Sequence, residues 1–346
     1  MKYWIMEAEK MPNRSHFNSG HRAMNFLNKN GVSHSSEVKF DIPEKTYHGV
    51  FTEDAINFLK KLPDSSVQLI LIDPPYNLDL AKWDSFSNYM DWAKDWLKEA
   101  ERVLTDNGNF VIFGGYQYQN LKKGDLLEIM YHLRHNSNLL FVNLIIWYYK
   151  TGMGAHRFFS NRHEEILWYG KTKKYYFNLD NVRIPFDEKT KEVYKRDKRL
   201  NPASIDKGKN PTNVWQIERL IANSGERVGH PTQKPLEVIR RLVKGLSYPG
   251  SLVLDFFAGS GTTGRVCIEE NRHSILVDND KKTLEYFNKH LDKMKQNNNY
   301  KQHEIIINPD LIEFLNKTQL QKHSSFSKKE AKTTELPPYE TTATNS

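Results

Sequence analysis

Residues 251–263 read Ser-Leu-Val-Leu-Asp-Phe-Phe-Ala-Gly-Ser-Gly-Thr-Thr. The apolar run Leu252–Leu254 predicts a short buried strand, and the glycines after it predict a loop whose backbone can approach a ligand closely. A helix is expected from Thr262. Asp278 stands 23 residues after Asp255, at the end of the next predicted strand, where a carboxylate can accept hydrogen bonds from ribose hydroxyls. The pattern predicts a nucleoside-cofactor site in an α/β fold.

Two classes of cofactor bind to a strand, glycine loop and helix of this kind. A dinucleotide site presents helix N–H groups to a pyrophosphate, and Gly259, Gly261 and Gly264 have the GxGxxG spacing found there, so the glycines alone fit either class. A methionine ammonium instead needs a carboxylate or carbonyls, and Asp255 directly precedes the loop. The sequence therefore favours S-adenosylmethionine over NAD, with a glycine turn that binds nothing as the other alternative. The residues expected to contact this cofactor are Asp255, Phe256, Phe257, Gly259, Ser260, Gly261, Thr262 and Asp278.

A second motif, Asp73-Pro74-Pro75-Tyr76, follows the apolar run 67–72, which predicts a buried parallel strand. An exocyclic amine of a nucleobase is a weak nucleophile, because its lone pair is delocalised into the ring. Two acceptors can draw its N–H bonds out of the ring plane, namely the Asp73 carboxylate and the rigidly held Pro74 carbonyl. Tyr76 offers a ring on which a flipped base can stack. The alternative is a Pro-Pro turn with a helix-capping Asp73.

Composition limits the class of protein. The chain has 346 residues, a net charge of +8 and a mean hydropathy of −0.70, and its longest apolar stretch, Leu139–Tyr149, is too short to cross a bilayer. Its N-terminus lacks the apolar core of a signal peptide. The single cysteine, Cys267, excludes an internal disulfide, and the 13 histidines have no ligand spacing. We expect a cytoplasmic protein without membrane or metal, in which Cys267 is a small core residue.

A basic stretch between Lys171 and Asn213 contains 12 Lys or Arg and 6 Asp or Glu, interleaved with aromatic residues. Basic side chains neutralise phosphates, and aromatic rings can pack on sugars and bases. The same composition also describes a solvated basic surface, so both interpretations stay open.

In chain order these motifs resemble the β class of DNA amino-methyltransferases, in which the catalytic tetrapeptide precedes a target-recognition region and the cofactor loop comes last. Asp73–Tyr76, the basic stretch, His230–Pro235 and Asp255–Gly261 occur in that order, and the resemblance covers about residues 47–295. It implies methyl transfer from S-adenosylmethionine to an exocyclic amine of double-stranded DNA, leaving S-adenosylhomocysteine. Asp rather than Ser before Pro-Pro-Tyr favours N6 of adenine within the family.

The resemblance also implies roles for residues outside the two main motifs. The motif of His230, Pro231, Thr232 and Lys234 is similar to the one that wraps the methionine half of the cofactor. Lys234 stands beside a helix opened by Pro235 and suits the cofactor carboxylate, although the segment would also serve as an ordinary helix-start turn.

Asp54 is similar to an acid that family members place near the cofactor adenine, and it would equally serve as a helix N-cap. Asp73 and Pro74 are expected to contact the cofactor as well as the base. Asp278 departs from the glutamate that is more frequent in the family, which leaves its geometry toward the ribose open.

A closer resemblance is to the RsrI-type adenine methyltransferases, carried by residues 143–147, 157–166, 197–202, 209–215 and 226–231. Part of it lies in the recognition region, so it implies a related target, GAATTC. A homodimer and a restriction endonuclease with the same site are left open as partners. Arg157, Arg162 and His163 are candidates for DNA contact, with a structural pair formed by Glu164 and Glu165 beside them as the alternative. The residues expected to contact DNA are Arg157, Arg162, Lys195, Arg196, Lys198, Arg199 and Lys209.

Other functions remain as alternatives. They are methylation of RNA or of N4 of cytosine, an NAD-dependent oxidoreductase, and a catalytically inactive DNA-binding module. Covalent C5-cytosine chemistry needs a thiolate nucleophile, and Cys267 lies in a predicted helix without a Pro-Cys context, which argues against it.

The expected fold is α/β, a doubly wound and mainly parallel sheet of the adenosylmethionine-dependent methyltransferase type. The catalytic and cofactor loops should project from the carboxyl ends of neighbouring strands. The expected divisions are an irregular N-terminal arm (1–46), a catalytic half (47–170), a target-recognition region (171–225), a cofactor-binding half (226–317) and a disordered tail (318–346).

Overall fold

The computed structural model describes residues 40–77, 84, 86–115, 126–152, 154–157, 159–296 and 301–319. Most of the expected N-terminal arm and nearly all of the expected tail lie outside these residues. Within them, no helix is both long enough and apolar enough to cross a membrane.

One sheet organises the described part of the chain. Its strands are β1 (Thr46–Thr52), β2 (Val67–Ile72), β3 (Leu104–Gly114), β4 (Leu140–Tyr148), β5 (His163–Gly170), β6 (Val214–Gln216), β7 (Leu252–Asp255), β8 (His273–Asp278) and β9 (His303–Ile307). They lie in the order β6-β4-β5-β3-β2-β7-β8-β1-β9. Only the two pairings of β5, with β3 and with β4, are antiparallel among these strands. The expected mainly parallel α/β sheet is confirmed.

Helices connect the strands and cover both faces of the sheet. They are α1 (Ala55–Lys61), α2 (Tyr89–Val103), α3 (Leu126–Asn136), α4 (Glu188–Arg196), α5 (Pro202–Lys207), α6 (Leu236–Leu246), α7 (Thr262–Glu269), α8 (Lys282–Gln296) and α9 (Leu311–Gln319). Helix α6 begins directly after Pro235 and α7 begins at Thr262, as the sequence predicts. By contrast, α4 and α5 lie in the basic stretch, where the sequence predicts mostly loops.

The core divides into layers because successive strand residues point to opposite faces. Ile70 and Ile72 of β2 pack with α1, α2 and α3 in one cluster, and Leu69 and Leu71 pack with α6 and α7 in another. All four side chains are at most 1% exposed, so β2 lies in the middle of the molecule. Cys267 is buried in the second cluster, as expected of a small core residue.

The loops after β2 and β7 emerge side by side. These strands are parallel neighbours, with Leu69 opposite Val253 and Ile70 opposite Leu254. The next strand of the sheet is β3 on one side of this pair and β8 on the other side. Such a switch point leaves a crevice at the carboxyl ends of the strands. It places the two motifs together, although about 180 residues of sequence separate them.

Candidate active site

Two cavities adjoin at this carboxyl edge. The glycine-loop cavity, about 300 Å³, is lined by the turn after β7 and by the end of β8. The tetrapeptide cavity, about 630 Å³, is lined by the loop after β2 and by residues from 219 to 234. Four residues belong to both walls, namely Asp73, Pro75, Thr232 and Lys234. A ligand in each cavity would therefore meet the other across Asp73.

Asp73 is held by two donors. Its Oδ1 accepts a hydrogen bond of 2.7 Å from the Tyr76 hydroxyl, and its Oδ2 accepts one of 2.6 Å from Lys234 Nζ. The Asp73 side chain is 24% exposed, so water and a substrate can reach it. The bond to Tyr76 also fixes the tyrosine ring at the mouth of the tetrapeptide cavity. Asp73 is thus a preorganised, partly accessible acceptor.

Lys234 joins Asp73 to a second acid that the sequence did not assign to the site. Lys234 Nζ lies 3.3 Å from Oε2 of Glu164, whose side chain also lines the tetrapeptide cavity. Burial raises the pKa of Glu164, and Lys234 opposes that rise. Burial lowers the pKa of Lys234, but Asp73 and Glu164 outweigh burial and raise it well above its usual value, so the ammonium stays charged. Glu165 pairs instead with His163 at 3.0 Å.

The segment before α6 is a hydrogen-bonded loop that places Lys234 in the walls of both cavities. Gln233 accepts a hydrogen bond from the Val228 N–H and donates one to the Glu226 carbonyl, both at 2.9 Å. The Glu226 carboxylate accepts from the N–H of Leu236 at 3.0 Å, in the first turn of α6. The segment is therefore a helix-start turn that also presents Lys234 to the two cavities.

The glycine loop requires glycine at two positions. Gly259 and Gly261 have φ of +45° and +74°, values that other residues rarely adopt. A Cβ at Gly259 would lie 3.2 Å from the His230 ring, and one at Gly261 would lie 3.0 Å from Phe287. Burial lowers the pKa of His230, so this ring packs over the loop as a neutral group.

A buried carboxylate, Asp255, and a partly buried one, Asp278, bracket the glycine loop. Asp255 accepts from the Thr263 hydroxyl at 2.6 Å and from the Phe257 N–H at 3.2 Å, and burial raises its pKa to about 7. Asp278 accepts from the N–H groups of Gly259 (2.7 Å) and Asp280 (2.9 Å), and burial raises its pKa as well. A carboxylate has about four acceptor positions, so each can also bind a ligand donor.

Aromatic rings form the far wall of the glycine-loop cavity. Phe86 stacks on Trp92 with ring centroids 4.4 Å apart. The ring centroids of Trp92 and Phe257 are 5.6 Å apart. Asp54 lies in the same wall and caps α1, accepting from the Asn57 N–H at 3.0 Å. Both roles considered for Asp54 are therefore compatible with its position. Phe86 is a site residue that the sequence analysis missed. The remaining expected residues of this wall are Phe256, Ser260 and Thr262.

The two expected DNA contacts at 157 and 162 lie at the carboxyl edge. They belong to the loop that joins the end of β4 to the start of the antiparallel β5. Arg157 is exposed, whereas Arg162 donates a 2.9 Å hydrogen bond to the Gly152 carbonyl and so stabilises the loop. Arg219 and Arg227, which the sequence analysis did not single out, line the tetrapeptide cavity nearby.

The basic stretch is attached at the opposite edge of the sheet. The N–H of Asn178 donates to the Gly245 carbonyl at 2.8 Å, at the end of α6 that leads into the start of β7. The structure does not bring the basic stretch into the wall of either cavity. Of the expected DNA contacts here, Lys195 pairs with Asp206 and Arg199 with Asp197, while the others, Arg196, Lys198 and Lys209, are exposed.

In the part of the chain that the structure describes, no group of three or more His, Cys, Asp or Glu could hold a metal ion. The cavities are instead surrounded by carboxylates, aromatic rings and one buried lysine. This chemistry suits an organic cation and a nucleobase.

Comparison with known proteins agrees with this geometry. Residues 67–289 match a family model described as DNA methylase, for N6 and N4 amino groups. The chain is 36% identical over 245 residues to the type II methyltransferase M.HpaI of Haemophilus parainfluenzae, covering 69% of this chain and 72% of that protein. It is 30% identical over 244 residues to the DNA adenine methyltransferase YhdJ of Escherichia coli (strain K12), covering 65% of this chain and 76% of that protein.

The fold is also that of a solved methyltransferase. The cytosine-N4-specific PvuII DNA methyltransferase superposes with a TM-score of 0.54 at 18% identity, covering 77% of this chain and 98% of that one. The resemblance seen in the order of the motifs is thereby confirmed. The chain belongs to the DNA methylase family whose members methylate the N6 or N4 amino groups of bases.

Proposed function

We propose that the protein methylates N6 of adenine in double-stranded DNA, using S-adenosylmethionine, within a defined site for which GAATTC is the first candidate. The observation that carries the proposal is the position of Asp73 between two cavities. One cavity suits the methyl donor and the other is open to a flipped base. A transferable methyl group and the attacking amine can therefore meet at one carboxylate.

The charge of the glycine-loop cavity supports S-adenosylmethionine, the cofactor of this family, over a dinucleotide. Its wall contains five carboxylates and one lysine. S-adenosylmethionine is a cation with a sulfonium and an ammonium, whereas NAD has a pyrophosphate that these carboxylates would repel. The carboxylates are those of Asp54, Asp73, Asp255, Asp278 and Asp280.

The wall residues fit the parts of this cofactor. The aromatic wall of Phe86 and Trp92, with Asp54, suits the adenine, and Asp278 suits the ribose hydroxyls. Asp255 suits the ammonium, and the segment from His230 to Lys234 adjoins the methionine end. When bound, S-adenosylmethionine supplies an electrophilic methyl group.

The tetrapeptide prepares the amine. Asp73 and the Pro74 carbonyl accept hydrogen bonds from the two N–H groups of the target amine. These bonds localise the lone pair of the amine toward the methyl group. Asp73 exchanges its bond with the Tyr76 hydroxyl for a bond to the amine, and the tyrosine ring stacks on the base. The Lys234 ammonium donates to the other oxygen of Asp73 and holds the carboxylate in place. The proton released by the amine passes to bulk water.

Adenine is favoured by Asp at the first position of the tetrapeptide and by the likeness to YhdJ, while the likeness to the PvuII enzyme makes N4 of cytosine the alternative. The test is to express the protein in cells that lack other methylases and to identify and map modified bases in their DNA. N6-methyladenine is expected, with protection from a nuclease that cuts GAATTC. N4-methylcytosine as the sole product would contradict the adenine assignment, and N6-methyladenine without protection would contradict only the site.

We also propose DNA contacts at two places, Arg157 at the carboxyl edge and the exposed Arg196 and Lys198 beside Lys195, Arg199 and Lys209. Each lost phosphate contact should lower the slope of log K against log salt by about 0.9. Arg157→Ala should therefore lower it by about 0.9 and the double change Arg196→Ala/Lys198→Ala by about 1.8, measured by anisotropy of a labelled duplex. Lys98→Ala, an exposed lysine on α2, is the control. An unchanged slope for the double variant would make the basic stretch a solvated surface.

A further inference from the structure

Phe159 is the most exposed large apolar side chain in the described part of the chain. The residue is 98% exposed, whereas the next most exposed large apolar residues, Ile42 and Tyr131, are 66% exposed. A single exposed apolar residue is ordinary on a protein surface, so its location must decide whether it has a role. Phe159 lies between β4 and β5 at the carboxyl edge of the sheet, in a segment of which residues 149–152, 154–157 and 159–162 are described. We call this segment the rim loop.

Hydrogen bonds close the rim loop at two levels. Near its base the Arg162 guanidinium donates to the Gly152 carbonyl at 2.9 Å, and a Cβ at Gly152 would lie 2.7 Å from that guanidinium. Near its tip the Ala155 N–H donates to the Ser160 hydroxyl oxygen at 2.9 Å. These two bonds close the described part of the rim loop, and Phe159 stands at its tip next to Ser160.

Residues on both sides of the tip line the tetrapeptide cavity, one in the rim loop and one in β5. Thr151 before the tip and Glu164 after it line that cavity. Phe159 and Glu164 are five positions apart in the chain, and an extended chain of that length spans at most about 18 Å. The exposed ring of Phe159 therefore belongs to a residue whose backbone lies within about 18 Å of the wall of the tetrapeptide cavity.

Two arginines belong to the same rim loop or the adjoining cavity wall. Arg157 is exposed two residues away on the same tip, and Arg219 lies in the neighbouring wall of the cavity. An apolar ring with cations on its flanks matches the chemistry of duplex DNA, in which a hydrophobic base stack lies between two rows of phosphates. A protein surface or a membrane would be better matched by a broad apolar patch.

We propose that Phe159 enters the base stack of duplex DNA and fills the gap left when the target base turns into the tetrapeptide cavity. The proposal rests on the proposed function, since a gap forms only if a base is flipped. Flipping requires unstacking and unpairing of the target, and an inserted apolar side chain offsets that loss. Arg157 would contact the adjacent phosphates while the ring is inserted.

The test compares Phe159→Ala with the unchanged enzyme on two duplexes containing the target base identified by mapping. In one the target is paired, and in the other an abasic site faces it, so that flipping costs little. On the paired duplex Phe159→Ala should lower kcat/KM by about 10- to 100-fold. On the abasic duplex the loss should be less than about threefold, and Phe159→Trp should restore activity on both. With 2-aminopurine as the target base, the fluorescence rise on binding should be lost in Phe159→Ala and restored by the abasic partner.

Tyr131→Ala removes another exposed aromatic ring, 66% exposed on α3, and should leave both activities unchanged. An equal loss on the two duplexes, or no loss on either, would overturn the role of Phe159. So would a change from dimer to monomer in sedimentation, because the ring would then serve contact between two copies of this chain. If the unchanged enzyme methylates neither duplex, the proposed function itself fails.

Discussion

Replacing Asp73 with alanine is expected to lower the rate of methyl transfer by at least about a hundredfold to a thousandfold. The reason is that Asp73 is one of two acceptors that the target amine requires as it becomes nucleophilic. Its contribution is therefore made in the transition state rather than in binding. Single-turnover measurements with saturating DNA and S-adenosylmethionine report this step directly.

Cofactor binding serves as the control for the Asp73 variants. Asp73 is one of five carboxylates in the glycine-loop cavity, so affinity for S-adenosylmethionine, measured by calorimetry, should change only a few-fold. Asp73→Asn keeps one acceptor oxygen and should retain more activity than Asp73→Ala. If the rate of Asp73→Ala stays within about tenfold of the unchanged enzyme, the activation free energy has risen by only ~1.4 kcal/mol. Asp73 would then not be the acceptor.

Patterns of local sequence predicted the elements around the site. The apolar run before Asp73 and the glycine loop after β7 are signals within a few residues, and the rule for parallel sheets brings the two loops together. The same reasoning missed β1, which begins at Thr46, and the reversal of β5. Neither alternation nor an apolar run encodes strand direction or neighbours, because these depend on packing between distant segments.

The side chains that complete the site were harder to predict for the same reason. Lys234 was expected to face the cofactor carboxylate, yet its nearest anion is Asp73, 161 positions earlier in the chain. Glu164 stands beside a second glutamate in sequence, and because successive strand residues point to opposite faces, one turns toward Lys234 and the other toward His163. Residue types predicted that acids and a lysine would be present, and the register of the sheet determined their pairing.

Replacing Lys234 with methionine is the second change expected to have a large effect. Lys234 Nζ is the cation of a partly buried cluster, 2.6 Å from Asp73 and 3.3 Å from Glu164, so its removal leaves negative charge uncompensated. Here two carboxylates, Asp73 and Glu164, would lie together without a cation, and the pair would take up a proton. We expect the rate near neutral pH to fall by about a hundredfold or more.

The pH dependence of the Lys234 variant identifies the cause. Lys234 opposes the burial that raises the pKa of Glu164, so its removal raises that pKa further. A carboxyl pair that holds a proton regains its negative charge only as the pH rises. The rate of Lys234→Met should therefore recover toward alkaline pH, while the unchanged enzyme shows no such recovery, and Lys234→Arg, which keeps a positive charge, should be less impaired.

The affinity for S-adenosylmethionine separates the two roles open to Lys234. If the lysine mainly holds Asp73, as the 2.6 Å bond indicates, Lys234→Met lowers the rate while the dissociation constant of the cofactor changes only a few-fold. If it mainly binds the cofactor carboxylate, the dissociation constant rises sharply and the rate at saturating cofactor is restored. Because Lys234 belongs to the walls of both cavities, only this separation of rate from affinity can assign it.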